Sequence, residues 1–428
     1  MLRWASASAL LLGVAGCAAA EGDSSNGSAA ASAQPAADNA RIFDATRLHT
    51  LDIAMSDADF AATQAAYAAD QTKKWVEASV TIDGTTYERC GVRLKGNSTI
   101  WQVPTGSSAS EYPWLVRLDK YVDGQAHDGV TEIVVRLNRT ASALNEAVSL
   151  DLLAKAGLAS QPWSYAVVSV AGAAPVLRLI MEQPSDPWVA REFGVAGILY
   201  KAEATSNYDY LGEDPDLYDE RFDVEAGEDD LTPLIAFLKW ANEIDDAGFA
   251  TGLGERLDVP AFATYLALEE LIDNYDAIEG PGNNSYLWWD RGGDQMTVVG
   301  WDHNLTFGVS NRPGGGGMPG RGMGRGGRTR PGADGQMPQG GAPGGGMGGG
   351  ATRGNQSGNV LARRFRANTE FAGQVSAAST RLRADLFTSG YAAGRLDASA
   401  AVLGDQAGDY LSDTTLASEK SSIAAYFD

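Results

Sequence analysis

Residues 312–358 hold almost nothing that a hydrophobic core could use. Glycine runs at 314–317, 344–346 and 348–350 alternate with Met, Pro and Arg. Glycine keeps no strict period of three, so the stretch predicts a disordered insertion and not a collagen-like rod. Whatever folds must therefore be assembled from residues 41–311 and 359–428, on either side of it. The stretch also runs against the charge of the chain. Between Arg312 and Arg366 there are nine arginines and one acid, Asp334, in a sequence whose net charge is -22.

The remainder has globular composition. Apolar residues make up 44% of 428, aromatic 9% and charged 21%, enough for one large domain or two modest ones. So acidic a balance argues against a nucleic-acid partner, which needs a basic footprint, and suits metal ions or basic polypeptides. At the N-terminus, Arg3 precedes an apolar run over residues 9–15, too short to span a bilayer as a mature helix. The run leads into Val14-Ala15-Gly16-Cys17, which resembles a bacterial lipobox. The resemblance implies a signal peptide over residues 1–16, cleavage before Cys17, lipidation of its thiol and attachment to a membrane at the cell surface. Ala18 follows in place of an acid, so in a Gram-negative host the expected address is the outer membrane and periplasm. Residues 17–40, rich in Ala, Ser, Gly and Asn, read as a flexible tether. With Cys17 lipidated, Cys90 has no disulfide partner, and its strand-like setting predicts a small buried hydrophobe.

Periodicity divides the chain into a strand-rich first half and a helix-rich second half. Residues 76–82 and 87–94 read as strands joined by Asp83-Gly84, a hairpin signal. Residues 115–118, 132–137, 165–170 and 175–181 read as further strands. Residues 142–156 have helical spacing, with Gly157 as a stop. Helices are predicted over 234–242 and 260–272, the second capped by Asp258. A strand pair over 285–289 and 296–301 follows, then a helical tail from about Phe365. The class is α+β.

The chemistry-bearing text lies around that strand pair. A helix ends in a loop carrying Asn274-Tyr275-Asp276 and, beyond Gly280-Pro281-Gly282, the pair Asn283-Asn284. The hairpin then delivers Trp301-Asp302-His303-Asn304 at the end of its second strand. Phosphoryl transfer uses this set of parts. One carboxylate orients and deprotonates a hydroxyl, while an amide oxygen and a second carboxylate hold Mg²⁺ on the phosphates. The order acid, Asn, strand pair, acid follows the catalytic and metal-binding segments of protein kinases. The spacing from acid to Asn is longer than theirs, and turns also favour Asp, Asn, Gly and Pro. Spacing alone does not separate these residues from turn and cap residues.

A series of matches in order does. Gly91-Val92-Arg93-Leu94-Lys95-Gly96-Asn97-Ser98 resembles the RGNS stretch of the CotH kinase family, the spore-coat-protein-H-like atypical kinases. Leu115 to Tyr121 is similar to the strand that follows it there. Leu144-Asn145-Glu146 resembles the family's LRE helix, with Asn145 in place of the arginine. Glu182-Gln183 and Leu199-Tyr200-Lys201 resemble its EQ and LYK segments, and the Asp276 and Asp302 stretches complete the run. The resemblance covers about residues 90–310. It implies a two-lobed, protein-kinase-like body using ATP and Mg²⁺ or Mn²⁺ on Ser or Thr hydroxyls of a protein. It implies Asp276 as the catalytic carboxylate and Asp302 as a metal ligand, with Asn284 as the favoured second ligand and Asn283 as the alternative. Glu146 would fix a phosphate-binding cation, which could be Lys95, Arg117 or Lys201. Gly96, Asn97, Ser98 and Glu182 complete the implied nucleotide contacts.

Other readings stay in view. A catalytically silent surface or matrix protein could use the same fold, as could a kinase-like enzyme for carbohydrate or lipid. The acidic run from Asp209 to Asp230 lacks the spacing of an EF-hand and reads as a solvated loop. His49, His127 and His303 are too scattered for a zinc site or a Ser-His-Asp triad. The insertion follows Asp302 where kinases carry an activation segment, which makes Thr329 a candidate self-phosphorylation site.

Overall fold

The computed structural model describes residues 42–96, 99–280, 284–309 and 358–427. Cys17, the signal and tether, Asn97, Ser98, Asn283 and the insertion up to residue 357, Thr329 included, lie outside the described residues. Among the described residues no helix is long and apolar enough to cross a membrane.

The first half closes on itself. Seven strands form a barrel in the order β1-β2-β3-β4-β5-β7-β6. They are β1 (Leu48–Ala54), β2 (Val76–Ile82), β3 (Thr85–Leu94), β4 (Trp114–Arg117), β5 (Glu132–Val135), β6 (Trp163–Val170) and β7 (Val176–Glu182), with the helix α1 (Asp57–Asp70) between β1 and β2. Between β2 and β3, Asp83 and Gly84 both take positive φ, 47° and 84°, the tight turn that the dipeptide predicts. Cys90 on β3 is fully buried, and burial pushes its thiol up to about 11, so it is an inert core residue. The strand-rich half is a closed barrel, where the resemblance implied only the strand-rich lobe of a two-lobed body, because β1 pairs with β6 in parallel, Leu48 opposite Tyr165 through Ile53 opposite Val170.

Alternation along the strands sorts two cores. Ile53, Val80, Val92, Trp114, Val116, Ile133, Val135, Val168 and Ile180 point into the barrel. On β4–β7 the opposite residues, Leu115, Val134, Tyr165, Leu179 and Met181, are also buried, because a second core docks on that outer face. Strands buried on both faces read as continuous apolar runs. This is why "IVV" and "LIM" carry no alternation, whereas β2 does.

The second core is built by α2 (Leu144–Lys155), a four-stranded sheet and the later helices. That sheet has the order β11-β10-β8-β9, comprising β8 (Gly197–Ala202), β9 (Phe222–Ala226), β10 (Ser285–Asp290) and β11 (Gln295–Gly300). α3 (Asp186–Glu192), which packs on β9, α4 (Thr232–Glu243) and α5 (Asp246–Gly252) contribute to the same core. α6 (Val259–Leu271) begins where Asp258 accepts from the Ala261 amide, the predicted cap. It is buried on nearly every side and runs into the loop that holds Asp276. The tail forms α7 (Val360–Ala367), α8 (Thr369–Leu382), α9 (Tyr391–Gln406) and α10 (Asp413–Ala424). α8 packs on α6 and α9 on α2, so the residues after the insertion share the core of those before it.

Candidate active site

The hairpin register puts two of the expected residues at one end of one ladder. Ser285 opens β10 opposite Gly300, which closes β11. Asn284 thus precedes the first strand and Trp301-Asp302 follows the second, on neighbouring strands that run about 4.8 Å apart. Asn284 donates from Nδ2 to Asp276 Oδ2 at 3.2 Å, and its backbone N–H reaches the Asp276 carbonyl at 3.2 Å. Asn284 is therefore bound to the Asp276 loop, and its amide oxygen is the end left for a ligand.

The loops of Asp276 and Asp302 are stitched to each other by their backbones. Tyr275 N–H donates to the Leu305 carbonyl at 3.2 Å and Phe307 N–H to that of Ile272 at 2.8 Å. Asp273, Asp302 and Phe307 take φ of 49°, 61° and 53°, a left-handed geometry that costs free energy outside glycine and persists where surrounding contacts enforce it. One such contact comes from α2. Asn145, standing where the family has arginine, donates from Nδ2 to the Asn304 carbonyl at 2.8 Å.

Glu146, on the next position of α2, is fully buried, but its partner is none of the three cations expected from the sequence. It pairs at 2.8 Å with Arg136, which follows β5 and also contacts Asp302. Burial pushes the Glu146 carboxyl up against the pull of Arg136. Burial works against the Arg136 charge too, yet Asp302 and Glu146 hold its pKa above the usual value. Sequence reasoning missed Arg136, because an arginine at a strand end looks like any edge charge. The expected cations are otherwise engaged. Arg117 meets Asp119 at 2.9 Å and Glu132 at 3.7 Å on the surface side of β4. Lys201 pairs with Glu203. Lys95 lies 5.7 Å from the centre of the Trp301 ring, and so does the Arg136 guanidinium. Both cations thus flank the residue before Asp302.

Lys95 and Lys201 belong to a wider polar field between the barrel and the second sheet. Lys95 is held down to about 8 by burial, resisted by Glu225 and reinforced by Lys201, Arg93 and Lys73. Gln183 donates to Glu225 at 3.0 Å, while Glu182 turns to Arg191 instead. Gly96 has φ 95°, and a Cβ there would stand 2.1 Å from the Thr99 hydroxyl, so the turn after Lys95 requires glycine. Beside the field a cavity of about 490 Å³ opens between Arg93 and β9, lined also by Asp186, Asp223, Glu225 and Asp229.

The residues present fit a hard divalent ion. Among the described residues no group of three or more His, Cys, Asp or Glu side chains could hold a metal by itself. Asp302, which contacts Arg136, and the Asn284 amide would supply two oxygen donors to Mg²⁺, an ion that keeps several waters. Beside them both Glu146 oxygens are buried with no hydrogen bond beyond the ion pair, a polar site built to meet further charge.

The buried Arg136–Glu146 pair thus touches Asp302, while Asp276 is bound to Asn284. The family described as CotH kinase protein matches residues 92–424, and the chain belongs to that family. No curated protein matches the chain.

Proposed function

We propose that this protein is an extracytoplasmic, lipid-anchored atypical kinase that moves the γ-phosphoryl group of ATP to Ser or Thr hydroxyls of a protein substrate. One observation supports this most. Asp302 emerges beside Asn284 at one hairpin end and meets the buried Arg136–Glu146 pair. The barrel half serves as the nucleotide-covering lobe and the helical half as the catalytic lobe.

Asp276 takes the proton of the acceptor hydroxyl as its oxygen bonds to the γ-phosphorus, and the bond to the β–γ bridging oxygen breaks to release ADP. Asp302 and Asn284 would hold a divalent ion, Mg²⁺ or Mn²⁺, which when bound neutralises charge on the phosphates. Arg136, Lys95 and Lys201 supply the positive side, with Glu146 fixing Arg136 as kinases fix their phosphate-binding cation. The cavity beside Arg93 has the size of small-ligand sites, and its carboxylates suit ribose hydroxyls. The experiment is transfer of labelled phosphate by the purified protein with Mg²⁺ or Mn²⁺, compared with Asp276→Asn and Asp302→Ala.

A further inference from the structure

Glu269 sits in the last turn of α6, 4% exposed and directly after the buried run Tyr265–Leu268. A carboxylate there would be expensive to bury without partners. It has two, and they come from different loops. His303 Nε2 lies 2.9 Å from Oε1, and Asn274 Nδ2 donates to Oε2 at 2.6 Å. His303 is the residue after Asp302. Asn274 in turn accepts from the Asp276 N–H at 3.3 Å through Oδ1. One side chain on a rigid helix therefore grips the neighbours of both acids. Two further features are arranged around the grip. A Cβ on Gly300 would stand 2.9 Å from His303 Cε1, so β11 ends in glycine where the imidazole must pass. The Asn274 N–H also donates to the Glu269 carbonyl at 3.0 Å, which anchors the far loop to the same residue twice.

We propose that Glu269 is a positioning residue that sets the Asp276 loop against the Asp302 loop, so that acceptor and nucleotide meet in reacting geometry. This rests on the phosphotransferase reading for its kinetic consequence, but not for its structural one. Glu269 is not a group that touches substrate; it acts through His303 and Asn274. Displacement of reacting groups by about 1 Å costs about 100-fold in rate, whereas the cations facing the phosphates are carried by other elements.

The test uses Glu269→Ala and the near-isosteric Glu269→Gln in the full chain. Glutamine keeps an acceptor for Asn274 and turns its amide toward a His303 ring nitrogen, which then accepts. The expected result for Glu269→Ala is a kcat lowered about 100-fold with KM for ATP within about threefold of wild type, and for Glu269→Gln a recovery of at least about tenfold. Amide hydrogen exchange at Tyr275 and Phe307 should accelerate together in Glu269→Ala. A kcat within about threefold of wild type, a glutamine variant no better than alanine, or a change carried by KM alone would overturn the proposal. So would faster exchange in only one of the two loops. If the wild-type protein transfers no phosphate, the functional reading fails, and the paired exchange still decides whether Glu269 joins the loops.

Discussion

Lys95 shows how a single side chain carries the electrostatics of this site. Burial lowers its pKa from 10.5 to about 8, Glu225 opposes that, and Lys201, Arg93 and Lys73 add to it. The sign follows from the shift. Below pH 8 the folded protein holds a buried ammonium at a cost, and that cost is relieved as pH rises toward 10.5, where the unfolded chain still binds the proton. For an anionic nucleotide the direction reverses, because the attraction needs the charged form. ATP affinity measured by calorimetry should therefore fall as pH rises through 8, and Lys95→Met should flatten that slope. An equal slope in the variant would remove Lys95 from the phosphate site. Residue types alone could not rank Lys95 against Arg117 and Lys201, since each is a cation on or beside a strand. Arg136 was illegible for the same reason, and Glu269 was hidden in an apolar helix. Each has a partner more than thirty residues away, Asp302 for Arg136 and His303 for Glu269.

Among elements, what was legible was local. The Asp83-Gly84 turn, the Asp258 cap and the glycine stop of α2 depend on residues a few positions apart, and each formed where the pattern placed it. The parallel pairing of β1 with β6 is of another kind, because no local signal records which strand lies alongside. Side-chain chemistry then secures what periodicity could not show. The Asp83 carboxylate, on the β2–β3 turn, accepts from the Thr50 N–H at 2.8 Å and lies 2.7 Å from Nδ1 of the fully buried His49, both on β1. Asp83→Ala removes the partner of the fully buried His49 Nδ1 and places alanine at positive φ. Denaturant unfolding should show a loss of about 2 kcal/mol or more. A loss under about 0.5 kcal/mol, the scale of an ordinary surface change, would mean that β1 is held by the ladder alone.

At the scale of the molecule, the fold does without a described disulfide. The barrel and the helical half contain one described cysteine, Cys90, buried and without a disulfide, so the described body relies on its two apolar cores. The proposed export rests on the N-terminal stretch. Cys17→Ser should move the protein from the membrane fraction to the soluble fraction on cell fractionation, with thermal stability unchanged. Retention in the membrane would contradict lipid anchoring through that residue. Composition predicts an insertion at 312–358, and the helices beyond it complete the core around α2 and α6.

The account stands on Asp276 and Asp302 acting together in phosphoryl transfer. Incubation of the purified protein with γ-labelled ATP and Mg²⁺ or Mn²⁺ tests it most directly. Label should pass to Ser or Thr hydroxyls with wild type, and Asp276→Asn and Asp302→Ala should each lower the rate by about 100-fold or more, as loss of a proton acceptor or a metal ligand does. Equal labelling by all three proteins, or none by wild type under either metal, would contradict it.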